Sequence, residues 1–120
     1  MRDHSELTLR NQRDFSRVYN KGKSRGSRFV VVLYRRNNLD YTRTAFVSSK
    51  KVGNSVERNR ARRLMKEAYR SLKDRVMSGY DIVFVARNTI GGCKEQEVER
   101  VIEKTLEATG LIGGRTDKTK

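Results

Sequence analysis

Residues 50–70 restrict the fold of this 120-residue chain more than any other stretch. They carry eight Lys or Arg against two Glu, yet the apolar residues among and just beyond them keep helical spacing. Ala61, Leu64, Met65, Ala68, Tyr69, Leu72 and Val76 are separated by steps of one, three or four, which gathers them on one helical face. A merely charged tail has no such pattern. The segment therefore predicts a helix over residues 56–75, N-capped by Ser55 and stopped at Ser78-Gly79. With Ala61, Leu64, Ala68 and Leu72 turned inward, Asn59, Arg62, Arg63, Lys66, Arg70 and Lys73 fall on its flank and outer face.

The rest of the chain supplies what this helix would pack on. Phe15, Val18 and Tyr19 stand at i, i+3 and i+4, a short helix ending near Gly22, followed by a basic Gly/Ser loop over residues 21–27. Residues 29–34 are β-branched, aromatic and apolar on both faces, which predicts a central strand. Asn37, Asn38 and Asp40 signal a turn, and residues 42–49 are expected to return as the second arm of a hairpin. Residues 80–86 form another apolar strand. Val98, Val101, Ile102 and Leu106 mark an amphipathic helix with an acidic outer face that ends at Gly110. The expected architecture is α+β: a two-layer sandwich of a mixed sheet with three helices. The strand–helix–strand unit through the long basic helix would make its two strands parallel. One domain over residues 1–112 and a frayed tail over 113–120 complete the expectation.

Charge narrows the function. The net charge is +14, with 21 Lys+Arg against 7 Asp+Glu in residues 1–75 and 7 against 7 in residues 76–120. So large and so localised an excess calls for a polyanion, nucleic acid before an anionic membrane surface. Arg predominates in the basic helix, and its planar fork grips phosphate oxygens bidentately. Arg58 and Arg60 lie near the helix N-terminus, where free N–H groups favour an anion, and Asn59 can hydrogen-bond a base edge or sugar hydroxyl. The competing reading, an ordinary solvated face, would show more mixed charge. Phe15 and Tyr19 lie beside Arg13, Arg17, Lys21 and Lys23, so they are either platforms for single-stranded bases or core residues. Tyr34 and Phe46 pose the same choice.

Catalytic and metal constellations are not apparent in the sequence. It has one His, His4, near the N-terminus, and one Cys, Cys93, read as a loop bystander that permits no internal disulfide. No Gly-rich phosphate loop is present, and the carboxylates do not cluster as a protein-borne two-metal nuclease requires. No apolar run reaches the ~18–20 residues of a membrane span, and no signal core follows the N-terminus. The expectation is a soluble cytoplasmic protein, with any catalysis supplied by another component.

These residues resemble the protein subunit of bacterial ribonuclease P. Arg58-Asn59-Arg60 followed by Arg62-Arg63 is similar to that family's Arg-Asn-Arg signature. Ser49-Lys50-Lys51-Val52-Gly53-Asn54-Ser55-Val56 resembles the approach to it. Asp14-Phe15, Val18-Tyr19 and Gly22 resemble its first helix, and Asp81-Ile82-Val83 with Ala86-Arg87 its late strand. The similarity spans residues 7–106, with departures at Thr44, Ala45 and Ser48, where an apolar residue, Gly and Val are usual.

The resemblance implies a ribonucleoprotein that removes the 5′ leader of precursor tRNA. Its RNA subunit would be the catalyst and hold the Mg2+ ions, with one protein per RNA and no membrane partner. It further implies that Arg58, Asn59, Arg60, Arg62, Arg63, Lys66 and Arg70 bind the catalytic RNA. Phe15 and Tyr19 would line a leader-binding cleft flanked by Lys50, Lys51 and Arg87. A left-handed crossover is implied as well, against the usual preference. The alternatives are a ribosomal or general RNA-binding structural protein and, with less support, a DNA-binding module.

Overall fold

The computed structural model describes residues 8, 9 and 11–112, so the expectations for His4 and for the tail over 113–120 lie outside the described residues. The elements are α1 (Gln12–Lys21), β1 (Lys23–Gly26), β2 (Val30–Arg36), β3 (Arg43–Val47), α2 (Ser55–Leu72), β4 (Tyr80–Ala86) and α3 (Glu95–Thr109). The four strands form one mixed sheet in the order β1-β2-β4-β3. The anticipated α+β architecture is present, with two departures.

The expected hairpin does not form. β4 inserts between β2 and β3, antiparallel to the former and parallel to the latter. Burial explains the order. β4 hides Asp81, Ile82, Val83, Phe84 and Ala86 and so presents apolar groups to both faces. Such a strand belongs in the interior of a sheet. In β3 only Ala45 is buried, which suits an edge. The parallel pairing of β3 with β4 across α2 follows the expectation, with Arg43 opposite Asp81 and Val47 opposite Val85. The second departure is β1, where a loop was expected. Its four residues are all exposed and pair antiparallel with β2, Lys23 opposite Tyr34. Its main chain, not its side chains, makes it a strand, and a polar, charged edge resists further pairing.

One sheet face carries the main core. Val30, Val32, Ile82, Phe84 and Ala86 meet Ala61, Met65, Ala68 and Leu72 of α2 and Val98, Ile102 and Leu106 of α3. The inward line of α2 thus runs through Met65, while Leu64 is only partly buried. Phe46 stacks on Phe84 with ring centres 5.1 Å apart, and Tyr34 lies 6.5 Å from Tyr80, so both aromatics belong to the core face. Cys93 is also buried there, and burial pushes its thiol pKa up.

On the opposite face α1 adds a further layer to the sheet and its α2–α3 cover. Val18 of α1 and Leu9 pack on Ala45 and Val83, with Phe15, Leu33, Val47 and Val85 partly buried around them. The Leu9 N–H donates to Thr44 O at 2.8 Å along the outer edge of β3. Among the described residues, no helix is long and apolar enough to cross a membrane.

Candidate nucleic-acid interface

The start of α2 sets the basic residues in place. Asn54, not Ser55, is the N-cap: its Oδ1 accepts from Glu57 N at 2.9 Å, while Asn54 N donates to Glu57 Oε1 at 2.9 Å. This reciprocal box needs Glu three residues after the cap, a spacing that Asn54 has and Ser55 lacks. Gly53 precedes it at φ 149°, where a Cβ would run into the Glu57 carboxylate. The box engages the N–H groups of Asn54 and Glu57. Two of the N–H groups expected to favour an anion beside Arg58 and Arg60 are thus taken by the helix's own Asn and Glu.

Helical geometry then divides the Arg-Asn-Arg segment. Arg58 Nη1 donates to Gly53 O at 3.0 Å, and Arg60 Nη2 donates to Cys93 O at 2.8 Å. Both arginines tie α2 to neighbouring loops, although a guanidinium has five N–H donors and each bond uses one. Asn59 lies on another side, where its Oδ1 accepts from Arg62 Nη2. There, Asn59, Arg62, Arg63 and Lys66 form one wall of a groove of about 570 Å³. Its floor is Thr44 to Val47 of β3, and Phe15 of α1 stands across it. The edge position of β3 creates this groove by leaving α2 and α1 on opposite sides of one strand.

Two further hollows adjoin it. Lys66, Arg70, Lys73 and Tyr69 line one of about 320 Å³ toward the end of α2. Burial pushes the Tyr69 phenol up to about 12, so it remains a neutral hydrogen-bonding group. Arg70 also pairs with Glu67 at 3.3 Å, an exposed contact of small energetic weight. The other hollow, about 410 Å³, lies along α1 between Phe15, Tyr19 and Val47, with Gln12, Ser16 and Asn20 on its rim. Phe15 and Tyr19 meet edge to face at 6.4 Å, and Tyr19 is 49% exposed. Phe15 is therefore both a support of the second core and a wall of two hollows. Sequence reasoning did not single out Val47, Ser16 or Asn20. The last two follow Phe15 and Tyr19 by one residue, and Val47 faces away from its core-bound neighbour Phe46.

Lys50, Lys51 and Arg87 line neither the large groove nor the hollow along α1. Lys50 and Lys51 follow β3 and Arg87 follows β4, so the parallel pairing puts all three at the α2 N-terminal end of the sheet. All are exposed, and Arg87 Nη1 donates to Ser27 O at 2.8 Å. The surface where the end of α2 meets α3 differs in charge. Arg75, just after α2, pairs with Glu103 at 2.9 Å and Glu107 at 3.6 Å on α3. Among the described residues, no three His, Cys, Asp or Glu side chains come together as a metal site.

Comparison with known proteins agrees with this arrangement. A family model described as Ribonuclease P matches residues 4–110. The ribonuclease P protein component of Alkaliphilus metalliredigens is 43% identical over 111 residues, covering 90% of this chain and 97% of that protein. Its counterpart in Alkaliphilus oremlandii is 41% identical over 104 residues, covering 87% and 91%. The RNase P protein structure from Staphylococcus aureus superposes with a TM-score of 0.81 at 28% identity, covering 89% of this chain and 98% of that one. The Thermotoga maritima RNase P protein gives 0.77 at 30% identity, covering 84% and 96%. A basic helix with an Arg-Asn-Arg start, set beside an aromatic helix on a mixed sheet and matched along most of its length, places this chain in the ribonuclease P protein component family.

Proposed function

We propose that the chain is the RNA-binding subunit of a cytoplasmic ribonucleoprotein endonuclease that removes the 5′ leader of precursor tRNA, one protein per RNA. The observation that carries this reading is the shared groove, with Phe15 on one wall and Asn59, Arg62, Arg63 and Lys66 on the other. The cations of α2 would take phosphates of the catalytic RNA, each contact releasing counterions. Phe15 and Tyr19 would stack unpaired leader bases, with Lys50, Lys51 and Arg87 drawing the leader's backbone toward that end of the sheet. Arg58 and Arg60 would combine the two tasks, holding α2 with one N–H each and offering the remaining donors to RNA. The junction of the two surfaces would place the leader beside the RNA that cleaves it.

In this reading the protein binds and orients, and the RNA subunit performs the hydrolysis with Mg2+. The donor set of the described protein residues does not fit a resident metal. Glu57, the carboxylate nearest the Arg-Asn-Arg segment in sequence, is committed to the Asn54 cap. This reading leaves Mg2+ with the RNA. Reconstitution tests the proposal: the protein is added to its cognate RNA and a precursor tRNA at low Mg2+. Stimulated release of an intact 5′ leader is expected, and no stimulation would overturn it.

A further inference from the structure

We infer that Arg43 is a positioning residue, which through Asp14 fixes the height and rotation of α1 and so shapes the hollow offered to the leader. The inference rests on the leader-binding role proposed above. It starts from the weakness of α1 as an independent element. The helix has ten residues, of which only Val18 is buried. A helix so short is marginal alone, so tertiary contacts must set its place. Its apolar contacts, buried Val18 and partly buried Phe15 against Leu9, Ala45 and Val83, hold it to the sheet without a directional bond. Dispersion and apolar burial are not directional.

The directional contact is Arg43. On the sheet its Nε donates to Asp81 Oδ1 at 2.9 Å and its Nη2 to Asp81 Oδ2 at 2.8 Å. Asn37 Nδ2 also donates to Asp81 Oδ1 at 2.9 Å, so the carboxylate that aims the guanidinium is itself held. The remaining arm, Nη1, reaches Asp14 Oδ2 of α1 at 3.2 Å. The side chains are 20%, 6% and 15% exposed for Arg43, Asp81 and Asp14, so water screens this chain of contacts only in part. The hydrogen bond to Asp81 is the main cause of the raised Arg43 pKa, with desolvation opposing it. Arg17 also approaches Asp14, at 3.4 Å, but it is 46% exposed and has no hold on the sheet.

Position along α1 links the clamp to the site. Asp14 and Val18 are four residues apart and share a helical face. Phe15 and Tyr19 are the next residues, so fixing the first pair fixes the second about 100° further round. One guanidinium thereby transmits the geometry of β3 and β4 to both aromatic side chains. A point-charge ammonium at this position cannot span two carboxylates with the same geometry.

The test uses the reconstituted holoenzyme with Asp14→Ala, Asp14→Glu and Arg43→Lys. Two quantities are read: the affinity ratio of leader-bearing over leaderless tRNA, and amide exchange of α1 in the free protein. Asp14→Ala keeps a strong helix former in α1 and removes a negative charge. General electrostatics would then strengthen all RNA binding. The clamp instead predicts that Asp14→Ala and Arg43→Lys cut the leader ratio roughly fivefold, the size expected for a partly exposed ion pair. Asp14→Glu retains most of the ratio. Exchange quickens in α1 while β2 and β4 keep their protection. An unchanged ratio in both Asp14→Ala and Arg43→Lys, equal losses for both substrates, or unaltered α1 exchange would overturn the inference. If the unsubstituted holoenzyme does not distinguish the two substrates, the leader-binding role itself falls, and the assignment of Arg43 falls with it.

Discussion

Ser48, one residue beyond β3, has a buried Oγ that meets no hydrogen-bond partner among the described residues. A hydroxyl removed from water without a partner costs on the order of 1–3 kcal/mol. Ser48→Ala is therefore expected to be neutral or to stabilise the protein by up to about 1 kcal/mol, read from the urea midpoint at unchanged slope. A loss of about 1 kcal/mol or more would show that the hydroxyl has an ordered partner after all. Sequence resemblance marked Ser48 as a departure from an apolar position, but only the fold reveals the environment of its oxygen. Arg43 is a sharper case. Its partner Asp81 lies 38 residues onward, and the contact exists because β4 aligns with β3 in parallel. No local spacing could reveal that. Phe15 and Tyr19 illustrate the intermediate situation: helical spacing placed them together, whereas their division between core and surface depends on where α1 crosses the sheet.

At the scale of elements, α2 separates two kinds of arginine that its sequence presents as one cluster. Arg63 is exposed on the groove wall, whereas Arg60 is half-buried and bonded to the carbonyl of Cys93. Arg63→Ala should weaken RNA binding by about 1–3 kcal/mol and flatten the salt dependence by the equivalent of about one phosphate, with no fall in melting temperature. Arg60→Ala should weaken binding and also destabilise the free protein by about 1 kcal/mol, because a charge-assisted tie between α2 and the loop before α3 is lost. Filter binding across a salt series and thermal melts separate the two. An unaltered melt for Arg60→Ala would make its tie to Cys93 energetically idle, and unaltered binding for Arg63→Ala would leave the groove wall merely solvated. The helix itself was legible because burial repeats with its period, and β4 was legible as a continuous apolar run. The partner of β3 was not, because alternation says which residues are inside and not which strand lies alongside. Nor was β1 legible, since its exposed side chains record nothing of the backbone bonds that define it.

For the whole molecule, the distribution of charge has a consequence for stability. The excess of +14 lies wholly within residues 1–75, while α3 contributes Glu103 and Glu107 to ion pairs with Arg75. The cations of α2 instead stand along hollows with few carboxylates: the large groove has none among its described lining residues. Folding concentrates these charges, so the free protein bears a self-repulsion that an anion bound to the folded state would relieve. By linkage, an anion at about ten times its dissociation constant adds about 1.4 kcal/mol, if it ignores the unfolded chain. For a protein of this size that corresponds to a rise of roughly 4–6 °C in melting temperature. Sulfate should therefore raise the melting temperature more than sodium chloride at equal ionic strength, because it occupies a multiply cationic groove where chloride chiefly screens. Arg63→Ala should reduce the sulfate increment by removing part of that groove's charge. Equal shifts in the two salts would assign the effect to screening alone, and no shift in either would reject charge repulsion as a significant burden on the folded state.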